Sequence, residues 1–117
     1  MKRVSPVDTP RNVLYVDDEP LILRAVQRAL RDTELNVDVA SSAEQGLRML
    51  EEKQYAVVAA DYRMPGLDGI QFFERVRRLW PETVRVLITG QGDFELALKA
   101  AKRSTALLQK NEASFFF

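Results

Sequence analysis

The 117 residues include no cysteine and no histidine. Without cysteine there are no disulfides, no thiolate nucleophiles and no zinc-thiolate sites, which suits a reducing cytoplasm. Without histidine there is no Ser-His-Asp triad, no histidine-ligated metal and no phosphohistidine formed on this chain. Net charge is missing as well, because 17 basic and 17 acidic residues cancel. Bulk charge therefore recommends neither nucleic acid nor an anionic membrane as a partner. Long apolar runs are also lacking. Residues 1–11 are broken by Pro6 and Pro10 and offer no signal peptide or membrane span, so they read as an extended lead. What is present, 46% hydrophobic and 29% charged residues, is the composition of one globular domain over residues 12–117.

Apolar runs and helical stripes alternate along the chain. Val13-Leu14-Tyr15-Val16 is a short continuous run of the kind buried on both faces, and Glu19-Pro20 then opens a helix, since proline suits the first turn. In that helix Ile22, Ala25, Val26, Ala29 and Leu30 recur at helical spacing. Residues 36–40 alternate as an edge strand would, and Ser41-Ser42 followed by Glu44 and Gln45 caps a second helix. Residues 56–60 form a third strand, and Met64-Pro65-Gly66-Leu67-Asp68-Gly69 is a loop before a helix over 70–79. Residues 85–88 form a fourth strand, with Asp93 capping a fourth helix. This alternation predicts an α/β domain with a parallel, helix-covered sheet.

The acidic residues fall at particular points of that pattern. Asp17-Asp18 ends the first strand and Asp61 ends the third. Adjacent parallel strands deliver their C-terminal residues to one sheet edge, where open α/β folds hold their ligands. Strand-end aspartates also serve as helix N-caps. Three carboxylates in one crevice, however, repel one another unless a cation joins them, and an all-oxygen set suits Mg²⁺. A phosphoryl-accepting metal site is the chemistry this placement implies. A dinucleotide site would need a glycine-rich turn after the first strand, where this chain carries Asp-Asp-Glu-Pro. A metal-dependent phosphatase of the aspartyl type would place an acid two residues beyond Asp61, where Arg63 stands.

Three fragments, Val16-Asp17-Asp18-Glu19-Pro20, Asp61-Tyr62-Arg63-Met64-Pro65-Gly66-Leu67-Asp68-Gly69 and Leu87-Ile88-Thr89-Gly90, occur in order at three strand ends. They resemble the receiver domain of bacterial two-component response regulators over about residues 12–102. The resemblance implies a flavodoxin-like, doubly wound parallel sheet with helices on both faces. It implies that Asp61 accepts a phosphoryl group from a sensor histidine kinase, and that the chain is a phosphoacceptor and no turnover enzyme. By the same resemblance Asp18 binds Mg²⁺ directly, Asp17 binds it through water, and the backbone carbonyl of Arg63 completes the protein ligands. Thr89 matches the hydroxyl that hydrogen-bonds the phosphoryl group, with Gly90 leaving the acceptor open. The alternative is a receiver-like interaction module that signals without phosphorylation.

The end of the chain departs from the family pattern from about residue 103. Lys110 is the candidate for the lysine that pairs with the phosphoryl group, followed by Asn111 in place of proline, and Leu107 stands at the usual aromatic position. Residues 111–117 are too few for a fifth helix, so the end reads as atypical or truncated, with no output domain on the chain. Either residues 105–109 form a fifth strand, or helix four continues through 94–114. The continuous helix would carry the Phe115-Phe116-Phe117 end onto a second protomer as a homodimer.

Overall fold

Buried parallel strands form where apolar residues can be covered from both sides. A computed structural model of the chain describes residues 11–93, 95, 98 and 105–109. β1 (Asn12–Val16) leads into α1 (Pro20–Ala29), then β2 (Asn36–Ala40), α2 (Ala43–Glu52), β3 (Val57–Asp61), α3 (Gly69–Leu79) and β4 (Val84–Thr89). A 3-10 turn at Gln91–Asp93 and β5 (Thr105–Gln109) follow. The five strands are parallel in the order β2-β1-β3-β4-β5, the flavodoxin-like order.

The period-two alternation of each strand divides the core into two layers. Leu14 and Val16 of β1, Val58 and Ala60 of β3 and Leu87 of β4 face α2 and α3, packing with Leu50, Phe72, Phe73 and Val76. Tyr15, Ala59 and Ile88 lie on the opposite side, with Leu23 and Val26 of α1. Helices thus cover both faces. The buried stripe of α1 differs by one position from the sequence pattern: Leu23 is buried while Ala29 is exposed. The larger side chain takes the contact because removing its greater apolar area from water gains more.

Local sequence sets the helix starts. α1 opens with Pro20, which has no N–H to leave unsatisfied. Ser42 caps α2 by accepting from the Gln45 N–H, and the Gln45 side chain returns to Ser41, one residue earlier than an ideal capping box. Asp68 and Gln71 close a full capping box on α3.

The C-terminal segment corrects one expectation. A helix running unbroken from 94 to 114 is excluded, because Thr105–Gln109 is a strand whose residues register with Arg85 to Thr89 of β4. The physical reason is that β4, buried between two layers, would otherwise expose an unpaired ladder edge, and a short apolar run is ambiguous between helix and strand until such a partner is known. The homodimer expected through the Phe115-Phe116-Phe117 end falls on residues outside the described ones. Residues 95 and 98 are helical, as a helix after Asp93 requires. Lys110, the remainder of the tail and the lead before Arg11 lie outside the described residues.

Candidate metal centre

β1 and β3 are neighbours in register, Val16 opposite Ala60, so the residues that follow them emerge side by side at the carboxyl edge of the sheet. Asp17 and Asp18 come from the first, Asp61 from the second. Each offers a carboxylate oxygen, and these atoms all lie within 4.8 Å of one another. Asp17 is buried at 1% exposure, Asp61 is half-buried and Asp18 is exposed, so the cluster grades from the interior to solvent.

The backbone holds this arrangement from several sides. Asp17 donates its N–H to the Ala40 carbonyl at 3.1 Å, and its Oδ1 accepts from the Glu19 N–H at 3.0 Å. Tyr62, directly after Asp61, donates to the Ile88 carbonyl at 2.8 Å, and Gly69 donates to the Tyr62 carbonyl at 2.8 Å. Gly69 is required by space: a Cβ there would stand 2.6 Å from the Asp61 carbonyl oxygen and from Leu87 Cδ1. The start of α3 can therefore press against the strand end that carries Asp61.

Thr89 ends β4, fully buried, and its Oγ1 has no hydrogen-bond partner among the described residues. Beside it, Gly90 has no atom of the described residues within 4 Å of where a Cβ would be. Arg63, two residues beyond Asp61, sends its guanidinium to Asp93, with Nε and Nη2 donating to the carboxylate at 2.6 and 2.7 Å. This bidentate pair joins the loop after β3 to the turn after β4, and it holds the Asp93 carboxyl below its ordinary range through the hydrogen bond and charge of Arg63. The sequence pattern offered Asp93 only as a helix cap. Its partnership with Arg63 spans 30 positions and leaves no local signal.

The donor set fits a hard divalent cation. Three carboxylates in mutual reach, one of them almost wholly removed from water, make a concentration of negative charge that an oxygen-loving ion offsets. Thr89 follows Ile88, the β4 residue opposite Asp61, and Arg63 lies two residues beyond Asp61 in the chain, while Lys110 lies outside the described residues.

The model of the response regulator receiver domain family matches residues 13–111. The chain is 42% identical over 88 residues to the hydrogenase transcriptional regulatory protein HoxA of Cupriavidus necator, covering 75% of this chain and 18% of that protein. It is 33% identical over 89 residues to the C4-dicarboxylate transport transcriptional regulatory protein DctD of Rhizobium meliloti, covering 76% and 19% respectively. The chain thus spans less than a fifth of the length of these curated relatives. A solved response regulator receiver domain protein of Clostridium thermocellum is similar with a TM-score of 0.78 and 31% identity, covering 85% of this chain and 81% of that one. With the sheet order, the strand-end aspartates and these similarities together, the chain belongs to the response regulator receiver domain family of two-component systems.

Proposed function

We propose that Asp61 accepts a phosphoryl group from a phosphohistidine on a sensor histidine kinase, with Mg²⁺ held by Asp17, Asp18, Asp61 and the backbone carbonyl of Arg63. The observation that carries this reading is the meeting of the three carboxylates within 4.8 Å; in its support, Thr89, next after the β4 residue opposite Asp61, keeps a buried hydroxyl with no partner among the described residues. A carboxylate is already ionised at neutral pH, so Asp61 needs no general base, and the lack of histidine costs the reaction nothing.

In the transfer, an Asp61 carboxylate oxygen forms a bond to phosphorus as the phosphorus–nitrogen bond to the donor imidazole breaks, and the imidazole keeps the bonding electron pair. The product is an aspartyl phosphate on this chain. Mg²⁺, when bound, offsets the charge that gathers on the phosphoryl oxygens. Thr89 donates its hydroxyl hydrogen to one of those oxygens, which gives that buried group its partner. Lys110 supplies a second cation to the same group. Gly90 leaves the approach to Asp61 unobstructed, which favours small donors as well as the kinase.

Phosphorylation then switches a downstream output in the cytoplasm; that the similar proteins are named as transcriptional regulators supports the existence of such an output. The chain is a stoichiometric acceptor. Intact mass after incubation with acetyl phosphate and Mg²⁺ tests the reading. One added phosphoryl group, absent in Asp61→Asn and with a chelator, is the expected result. A folded chain that gains no mass would overturn it in favour of a phosphorylation-independent interaction module.

A further inference from the structure

Tyr15 is a polar group that the site as described does not use. It stands two residues before Asp17 on β1 and opposite Ala59 of β3, which is two residues before Asp61. Strand alternation therefore places Tyr15, Asp17 and Asp61 on one face of the sheet, with the tyrosine one pleat further from the edge. Its ring packs with Leu23, Val26, Ala59 and Ile88, and the residue is 6% exposed. Its hydroxyl is buried and has no hydrogen-bond partner among the described residues.

Phenylalanine would fill the same space without an orphaned hydroxyl, and a buried donor without a partner is a net cost to the fold.

We propose that Tyr15 is a positioning residue of the acidic site, its hydroxyl donating to the oxygen shell, carboxylate or cation-bound water, that assembles between Asp17 and Asp61 when the site binds its cation. This rests on reading Asp17, Asp18 and Asp61 as the cation site. Outer-layer hydrogen bonds of this kind orient ligands, and their loss commonly weakens metal affinity about 10-fold to 100-fold.

The test is Mn²⁺ binding to the whole chain, followed by electron paramagnetic resonance, in wild type, Tyr15→Phe, Leu23→Ala and Asp18→Asn. Melting temperatures are measured in parallel with and without metal. Tyr15→Phe is expected to raise the Kd about 10-fold while its metal-free melting temperature matches or exceeds that of wild type. Leu23→Ala, which disturbs the same packing and keeps the hydroxyl, is expected to melt lower with an unchanged Kd. A Tyr15→Phe affinity within about two-fold of wild type, against the about 10-fold loss expected, overturns the assignment. So does an equal loss of affinity in Leu23→Ala, which would trace the effect to packing. If wild type binds no Mn²⁺, or Asp18→Asn binds as wild type does, the cation site itself is misplaced and the inference falls with it.

Discussion

At the scale of single residues, the candidate site combines a feature that weakens a fold with side chains that the proposed reaction would use. Asp17 is almost fully buried beside two other carboxylates, and Thr89 keeps a hydroxyl in the interior without a partner among the described residues. A buried hydroxyl without a partner is a cost in the resting protein. Thr89→Val removes the orphaned hydroxyl at nearly constant shape, so the resting variant is expected to resist urea as well as or better than wild type. The same change should slow phosphoryl uptake from acetyl phosphate about 10-fold or more, since a donor to the developing charge is lost. Urea melts and time-resolved intact mass together check both halves. A slower reaction in a weakened fold would instead mark Thr89 as a packing residue.

At the scale of elements, short polar clusters tie strands to the segments between them. Tyr55, buried just before β3, donates its hydroxyl to Asp38 of β2 at 2.6 Å, and Lys53 donates to the same oxygen at 2.9 Å. Burial pushes the Asp38 carboxyl up, but the hydrogen bonds from Tyr55 and Lys53, with the Lys53 charge, outweigh it and leave the pKa lowered. A carboxylate with a depressed folded pKa contributes stability above its unfolded value, near 3.9, and loses that contribution as pH falls through the folded one. Tyr55→Phe is therefore expected to cost about 1 kcal/mol at neutral pH, a gap that narrows below about pH 4 as Asp38 is protonated. Urea unfolding of both proteins across that range measures it. A gap of constant size would assign the effect to packing around the ring.

Two helix starts were legible at this scale because proline and serine act on the backbone within a few residues. Pro20 and Ser42 stand where the local chemistry requires, while Asp68, read from the sequence as loop, caps α3. The state of residues 105–109 was not legible, since their spacing suits either period, and the deciding partner, β4, is the preceding strand of the sheet, 20 residues earlier in register.

At the scale of the whole molecule, the proposed cation site links metal binding to folding. An ion that binds the folded chain and not the unfolded one stabilises it by about 2.7 kcal/mol at 100 times its Kd. Mg²⁺ is expected to raise the urea midpoint of wild type accordingly, and to leave Asp18→Asn almost unmoved. That variant should also equal or exceed wild type in chelator, because it removes one of three mutually repelling charges. A rise of the same size in both proteins would place Mg²⁺ elsewhere on the surface.

The sequence by itself determined the alternation of strands and helices, the chemical type of the centre and the three carboxylates that compose it. Each of these depends on residue type and on position at a strand end, which local patterning reveals. Only the tertiary structure decided that residues 105–109 pair with β4, that Arg63 reaches Asp93, and that the Tyr15 hydroxyl is buried with no hydrogen-bond partner among the described residues. Those facts come from contacts between segments that meet only once the sheet is assembled, and no local period encodes which segments will meet.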